Sequence, residues 1–251
     1  MPARVYAVAN QKGGVGKTTT AVNVGACLAE AGERVLLVDL DPQANATSGL
    51  GMRANGVSTH DLLDGVPLSA LAKPSPVENL DVVMAKMDLA AAAVELSTRD
   101  GGERYLADAL AGVLDPYSYV FLDCPPAFGP LTVNALAAAN HALVPVQAEY
   151  YALEGLSQLL GTINLVTARL NPRLAVAGIL LTMADGRTRL AADVEAELRS
   201  HFGGLVFTTT IPRSIRLAEA PSHGLPAIAY DRRSAGAQAY WKVAMELVER
   251  Y

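Results

Sequence analysis

The segment 5–19 constrains the fold of this chain more than any other stretch. An apolar run, Val-Tyr-Ala-Val-Ala, leads into the glycine-rich turn Asn-Gln-Lys-Gly-Gly-Val-Gly-Lys-Thr-Thr, and a run typical of a helix follows. Gly13, Gly14 and Gly16 allow successive backbone N–H groups to face one anion, and a helix start adds the positive end of its dipole. The segment therefore predicts a strand, a phosphate-binding loop and a helix in direct succession.

The polar residues of this turn suit a nucleoside triphosphate and its metal ion. Lys17 brings a positive charge that can reach the β- and γ-phosphates, and the Thr18 hydroxyl can ligate Mg²⁺. A glycine-rich turn with two solvated lysines is the alternative, but the flanking strand and helix favour the nucleotide. We therefore expect ATP and Mg²⁺ to bind at Lys12, Gly13, Gly14, Val15, Gly16, Lys17, Thr18 and Thr19.

Carboxylates stand at the ends of two further apolar runs. Val-Leu-Leu-Val-Asp39-Leu-Asp41 places two of them on the same side of an extended chain, because strand side chains alternate in direction. Tyr-Val-Phe-Leu-Asp123 ends in a third, as in sites where the acid binds Mg²⁺ through water. A lone aspartate at a strand end is more often a turn or cap residue. Together with the loop, the three acids favour a metal and phosphate site.

Apolar runs rich in β-branched residues alternate with helical segments along the chain. The runs are Val5–Ala9, Val35–Asp39, Leu80–Ala85, Val120–Asp123, Ala142–Val146, Val176–Thr182 and Leu205–Ile211. Helices are expected at Thr18–Ala31 and Asp193–His201, each closed by a glycine, with a loop-rich excursion over 49–76. The alternation predicts an α/β fold, with a mostly parallel twisted sheet flanked by helices and ligands at the carboxyl ends of strands. We expect one domain over residues 1–251.

The charges of the chain are unevenly distributed. The net charge of −5 argues against a wholly basic nucleic-acid coat. Residues 1–168 carry 9 Lys and Arg against 17 Asp and Glu, whereas residues 169–251 carry 11 against 8. The basic excess could make a weak, salt-sensitive phosphate contact, although an ordinary solvated surface explains it equally well.

The apolar stretches are too short for a signal peptide or a membrane span, so we expect a cytoplasmic protein. Cys27 and Cys124 have neither zinc-site nor redox-motif spacing, and we expect two free thiols. The stretch Trp241 to Tyr251 is amphipathic and holds as many acids as bases. It predicts a helix packed on the domain rather than on lipid.

The turn departs from the general P-loop, because Gln11 stands where that pattern has a glycine and a second lysine, Lys12, precedes Gly-Gly. Lys-Gly-Gly-x-Gly-Lys-Thr resembles the deviant Walker A motif of the ParA/MinD ATPase family. Three longer stretches look like chromosomal ParA proteins of the Soj type: Pro-Val-Gln-Ala-Glu-Tyr-Tyr-Ala-Leu-Glu-Gly, Leu-Thr-Met-Ala-Asp-Gly-Arg-Thr and Ile-Pro-Arg-Ser-Ile-Arg-Leu-Ala-Glu-Ala-Pro-Ser-His-Gly. The resemblance covers nearly the whole chain.

This resemblance implies a catalytic set of Asp41, Lys12 and Lys17. Asp41 would orient the attacking water, and Lys12 would cross the interface of an ATP-bound dimer to touch the partner's nucleotide. Thr18 and Asp123 would hold the metal ion, with Asp39 in its outer coordination sphere.

The resemblance also places the adenine at the backbone around Pro212 and Ser214. An ordinary strand-to-helix turn at Ile-Pro-Arg is the alternative. Ser214 stands where relatives often have Asn, so the contact made by its side chain stays open.

Soj-type proteins form an ATP-dependent sandwich homodimer, coat non-specific double-stranded DNA of the nucleoid, and release it when a ParB-type centromere-binding partner stimulates slow hydrolysis. The resemblance implies the same partners here, and no membrane. For any one arginine, an ion pair within the chain is at least as good an explanation as DNA contact. The candidate DNA contacts are Arg187, Arg189, Arg213, Arg216, Arg232 and Arg233.

Three other classes stay open. A membrane-associated ATPase of the MinD type shares the loop but ends in a basic amphipathic helix. A redox ATPase resembling nitrogenase iron protein needs cysteines that hold a cluster between subunits, and Cys27 and Cys124 lie on unsuitable elements for this. A metabolic kinase or synthetase needs a substrate pocket that this sequence does not reveal.

Overall fold

The computed structural model describes residues 2–149, 152–186 and 188–251. Its strands are β1 (Arg4–Val8), β2 (Val35–Asp39), β3 (Lys73–Pro74), β4 (Leu80–Val83), β5 (Tyr119–Asp123), β6 (His141–Gln147) and β7 (Ala175–Thr182). Over the described ranges they form one sheet in the order β3-β4-β2-β5-β1-β6-β7. Neighbouring strands are parallel except for the short edge pair β3 and β4. The predicted α/β class with a mostly parallel sheet is confirmed.

Helices fill most of the connections between strands. They are α1 (Lys17–Glu30), α2 (Asn45–Gly49), α3 (Thr59–Leu63), α4 (Leu68–Leu71), α5 (Leu89–Thr98), α6 (Tyr105–Leu110), α7 (Pro130–Ala138), α8 (Ala152–Arg169), α9 (Arg189–Phe202), α10 (Ile215–Glu219), α11 (Ala227–Tyr230) and α12 (Ala235–Arg250). Two short 3₁₀ turns cover Gly203–Leu205 and Ala220–His223. The excursion over 49–76 thus contains short helices as well as loops.

The sheet separates two hydrophobic cores. Along β1, Val5 and Ala7 belong to the core shared with α5 to α8, whereas Tyr6 and Val8 belong to the core shared with α1 and α12. Every residue of β2 and of β5 is buried, as expected where helices cover both faces of a parallel sheet. This burial explains why the central strands read as unbroken apolar runs.

Both predicted helices exist with adjusted ends. Helix α1 begins one residue earlier than expected, and Gly32 follows it with a φ of 97°, a conformation that favours glycine. Helix α9 is longer than predicted because Thr188 caps its start, its hydroxyl accepting a hydrogen bond from the Ala191 N–H.

The predicted strand Leu205–Ile211 is wrong. The segment runs beside β7, where the Phe207 N–H donates to Ile179 O and the Ile211 N–H donates to Leu181 O. Between these two bonds, the N–H groups of Thr208 and Thr209 donate to the Glu246 carboxylate of α12 instead of a strand partner. A side chain thus replaces the backbone partner that a continuous ladder needs.

Helix α12 packs on the domain, as predicted. Its inward residues Tyr240, Val243, Ala244 and Leu247 are buried in the same core as α1. In the residues that the structure describes, helices long and apolar enough to cross a bilayer are absent. The two cysteines are buried free thiols, also as predicted.

Candidate nucleotide-binding site

The central strands bring the phosphate loop and the strand-end acids to one edge of the sheet. Asp123 of β5 pairs in register with Val8 of β1 on one side and with Asp39 of β2 on the other. The loop that follows β1 therefore lies beside Asp123, and Asp39 lies one strand further along the sheet. This is the position at which open α/β sheets bind ligands.

The phosphate loop has a backbone that only glycine adopts readily. Gly14 and Gly16 have φ values of 74° and 88°, and Gly16 directly precedes α1. Thr182, the last residue of β7, donates its hydroxyl to Val15 O at 2.8 Å. Lys17 Nζ donates to Lys12 O at 3.0 Å and so closes the loop on itself.

Lys17 is nearly enclosed, with 6% of its surface exposed. Burial lowers the pKa of its ammonium group, while Asp123, Cys124 and Asp41 act in the opposite direction. A buried cation at the mouth of a glycine loop is an anion site, because a bound phosphate would supply the compensating charge.

Asp39 is a fully buried carboxylate that organises the chain after β2. Its Oδ2 accepts from both the N–H and the hydroxyl of Thr47, at 2.9 and 2.7 Å, and its Oδ1 accepts from the Asp41 N–H at 3.1 Å. Burial raises the pKa of Asp39, and these hydrogen bonds lower it in part. The contacts fix α2 and Asp41 in relation to the sheet.

Asp123 is equally buried but has no such support. Neither of its carboxylate oxygens has a hydrogen-bond partner among the described residues. Burial, followed by the charge of Asp39, raises its pKa, and the Thr18 hydroxyl and Lys17 oppose this shift. A buried carboxylate without partners beside a hydroxyl is suited to a hard divalent cation. The residues present therefore fit Mg²⁺.

Two adjoining cavities lie over this edge. The phosphate cavity, about 490 Å³, is lined by Gly13, Gly14, Gly16, Lys17, Thr18, Thr19, Asp41, Gln43, Asn45, Ser48, Gly49, Pro126, Met183 and Pro221. The base cavity, about 300 Å³, is lined by Gly16, Thr19, Thr182, Met183, Ile211, Pro212, Arg213, Ser214, Leu217, Ala218 and Tyr240. Gly16, Thr19 and Met183 belong to both, so the cavities form one cleft. The phosphate cavity holds most of the charged and polar side chains and the base cavity is mostly apolar, which matches a nucleotide's phosphates and base.

Known proteins resemble this chain over nearly its full length. The model of the family described as AAA domain matches residues 3–176. The sporulation initiation inhibitor protein Soj of Bacillus subtilis (strain 168) is 52% identical over 97% of this chain and 98% of that protein. The chromosome-partitioning ATPase Soj of Thermus thermophilus is 56% identical over 98% of this chain and 96% of its own length. The chain belongs to the Soj/ParA family of ATPases.

A solved structure of a protein with a different name is similar to this chain over nearly its whole length. Cobyrinic acid a,c-diamide synthase from Mycobacterium smegmatis, with bound ADP and magnesium, has a TM-score of 0.86 and 40% identity, covering 98% of this chain and 94% of that one. Its ligands correspond to the ATP and Mg²⁺ that the sequence of this Soj/ParA chain predicts.

Lys12, the second lysine of the phosphate loop, lies outside the lining of both cavities. Its ammonium group pairs with Glu149 at the surface, where the two side chains are 51% and 44% exposed. Asn10 holds the backbone below it, accepting from the Lys12 N–H at 3.0 Å and donating to Pro145 O at 2.7 Å. Val15 is also outside the lining, because its side chain is buried beneath the loop. The structure brings the other predicted ATP-binding residues together.

The candidate DNA contacts fall into different groups. Arg187 lies outside the described residues. Arg216 pairs with Glu219 and Asp231, and Arg232 pairs with Glu30. These two arginines therefore form ion pairs within the chain, which was the alternative to DNA contact. Arg189, Arg213 and Arg233 form no ion pair with any residue that the structure describes. Arg213 also lines the base cavity.

Several residues of the site were missed by sequence reasoning. Met183 has a φ of 52°, which a non-glycine residue rarely adopts, and it borders both cavities. Its position directly after β7 was the available signal, since ligands gather at strand ends. Thr47 and Tyr240 carried no such signal, because neither follows a strand: Thr47 reaches Asp39 and Ala85 from α2, and Tyr240 lines the base cavity from α12.

Proposed function

We propose that this chain is a chromosome-partitioning ATPase in which Mg·ATP drives a sandwich homodimer onto non-specific DNA, and a ParB-type partner stimulates hydrolysis to reset it. The single observation that carries the nucleotide part is that buried Lys17 lines the cleft and lies close to the carboxylate of Asp123, which has no hydrogen-bond partner among the described residues. Relatives named Soj at 52% and 56% identity support the partitioning part. We take the working unit to be one P-loop domain over residues 1–251.

The residues of the cleft divide the work of hydrolysis between them. Thr18 and Asp123 would hold Mg²⁺, which when bound neutralises charge on the β- and γ-phosphates. Asp41 lines the phosphate cavity with its Oδ1 accepting from the Gln43 N–H at 2.9 Å, so one oxygen is fixed and the other can orient water. Asp39 positions Asp41, because its Oδ1 accepts a hydrogen bond from the Asp41 backbone N–H.

Lys17 is the cation that the described residues contribute to the phosphate cavity. Positive charge facing the transferred phosphoryl group strongly accelerates such reactions. We therefore expect slow hydrolysis by the isolated chain and faster hydrolysis when a partner adds or repositions a cation. Lys12 is placed for this, since its side chain lies at the exposed rim beside Gly13.

DNA binding requires cations that can leave water for phosphate. Arg189, Arg213 and Arg233 are the best candidates among the described residues, because Arg216 and Arg232 would first have to give up their acidic partners. We place the protein in the cytoplasm, on the nucleoid.

The test is a mobility-shift assay on non-specific duplex DNA with Asp41→Ala, comparing Mg·ATP with Mg·ADP across a salt series. Asp41→Ala should retain ATP and prolong the dimer, so a shift with ATP alone that weakens steeply with salt is expected. Lys17→Ala in the same background is the control that should abolish the shift. An equal DNA shift with Mg·ATP and with Mg·ADP would contradict the proposal that ATP switches DNA binding on.

The alternative function is a MinD-like membrane-associated ATPase. Flotation of the Asp41→Ala protein with anionic liposomes distinguishes the two. If the protein floats with liposomes only in the presence of ATP and does not shift DNA in the mobility assay, the membrane-associated function is favoured.

A further inference from the structure

A cluster of metal-ligating side chains lies on α3 and α5, outside the lining of the nucleotide cleft. His60 is the second residue of α3, Asp64 directly follows the last residue of that helix, and Glu95 lies near them on α5. One ligand atom from each lies within 4.8 Å of the other two. The set offers one imidazole nitrogen and two carboxylates.

The imidazole of His60 has a ring nitrogen that is free to bind a metal ion. Its Nε2 is buried without a hydrogen-bond partner among the described residues, although Asp64 Oδ2 lies 3.4 Å away. Its Nδ1 lies 4.0 Å from Asp88 Oδ2 on the other side of the ring, near enough for a charge interaction but too far for a hydrogen bond. Metal-bound histidines commonly have a carboxylate beside their second ring nitrogen, and a small movement of Asp88 would bring it into hydrogen-bond range here.

Arg99 now balances the two carboxylates of this cluster. Its guanidinium pairs with Asp64 at 3.1 Å and with Glu95 at 2.8 Å, and all three side chains are between 38% and 44% exposed. Exposed ion pairs of this kind contribute little to stability, so a divalent ion can displace the arginine. Ligands of a tetrahedral zinc ion lie about 3.5 Å apart, given bonds of about 2.0–2.2 Å. The cluster must therefore contract slightly, which its exposed carboxylates allow.

We propose that His60, Asp64 and Glu95 form a binding site for one divalent transition-metal ion, distinct from the magnesium position at Asp123. A mixed imidazole and carboxylate set favours zinc-like ions over Mg²⁺, which prefers oxygen ligands alone. The bound ion links α3 to α5, with a water molecule completing the coordination.

The test is calorimetric titration of Zn²⁺ into nucleotide-free protein that has been stripped with a chelator and then supplied with excess Mg²⁺. We expect one zinc ion per chain, with affinity lowered about tenfold or more in His60→Gln and in Glu95→Gln. His201→Gln on α9 is the matched control, because it removes an imidazole from another surface, and its affinity should equal that of the wild type. Circular dichroism checks that each variant is folded.

Arg99→Gln gives a second measurement that does not depend on loss of a ligand. Removing the competing guanidinium should tighten zinc binding, whereas a purely ionic network would show no gain. Absence of zinc binding by the wild type, or equal binding by the wild type and His60→Gln, would overturn the proposal. Weaker binding by Arg99→Gln would also contradict it, because the arginine would then be an organiser of the site and not a competitor.

Discussion

Asp39 and Asp123 are register partners on adjacent strands, yet Asp39 accepts three hydrogen bonds while neither oxygen of Asp123 has a partner among the described residues. Two buried carboxylates side by side repel each other when both are charged. The difference in hydrogen bonding assigns them different tasks. Asp39 holds the chain, and Asp123 is available to a cation.

We predict that Asp123→Asn removes the effect of Mg²⁺ on nucleotide affinity. The amide keeps the shape of the side chain but lacks the charge that a hard cation requires. The nucleotide-free variant should be as stable as the wild type or more so, because a buried charge next to Asp39 is lost. Calorimetric titration of ATP with and without Mg²⁺, alongside thermal unfolding, measures both. Asp115→Asn, away from the cleft, should change neither; a full Mg²⁺ effect in Asp123→Asn would refute the assignment.

Thr47→Val should destabilise the fold by about 1–3 kcal/mol, because it removes the hydroxyl that donates to Asp39 and accepts from the Ala85 N–H. Both buried partners would then be left without that bond. Urea unfolding measures the change, and Thr47→Ser, which keeps the hydroxyl, is the matched control. If valine and serine gave the same stability, the bond between Thr47 and Asp39 would be of no consequence.

Gly16→Ala should cost about 1–2 kcal/mol of stability and weaken ATP binding. The strain comes from the φ of 88°, since the new Cβ would meet Thr182 only at ordinary contact distance, 3.8 Å. Gly161→Ala in helix α8 is the control, where a Cβ has open space and alanine favours the helix. Thermal unfolding and ATP titration of both variants check this, and an unstrained, fully binding Gly16→Ala protein would be inconsistent with the loop described.

Gly13→Val is predicted to fold and to bind ATP, yet to remain a monomer. Among the residues that the structure describes, a Cβ at this position would approach only Pro126, at 3.8 Å. The obstruction would arise at the proposed subunit interface. Light scattering with Mg·ATP gives the mass, and Gly13→Ala, a smaller change, should impair dimerisation less. A dimer of normal affinity formed by the valine variant would rule out the sandwich arrangement.

Glu246 gives a pH dependence to stability. Burial raises its pKa, but hydrogen bonds from the Thr208 N–H, the Arg250 guanidinium and the Thr209 N–H outweigh this, and the pKa is lowered overall. The group therefore stabilises the fold above its unfolded pKa, and this stability is lost as the pH falls through the lower folded value. At neutral pH the free energy of unfolding of Glu246→Gln should be lower than that of the wild type by about 1–2 kcal/mol, and the two values should converge in acid. Urea unfolding between neutral and acidic pH measures this; a constant difference would contradict it.

The sequence predicts the position of the nucleotide site better than it predicts the segments that connect the strands and helices. Burial on both faces makes the central strands visible as apolar runs, and strand ends must lie at one sheet edge, so the loop and its acids could be placed together. The error at Leu205–Ile211 has a physical cause, because Glu246 lies far along the chain and replaces the partner that a strand would need. The unequal hydrogen bonding of Asp39 and Asp123 was likewise invisible, since it depends on Thr47.

Strand β1 lies between β5 and β6, and its first residue pairs with Tyr119. During synthesis the phosphate loop therefore leaves the ribosome long before either neighbour of its strand exists. Sheets whose central pairings span such distances form slowly. The hydrogen bond from Thr182 to Val15 completes the loop only when β7 has emerged. A nascent chain of this family would thus be unable to hold nucleotide until more than two thirds of it had been made, which links the acquisition of ATP to the end of folding.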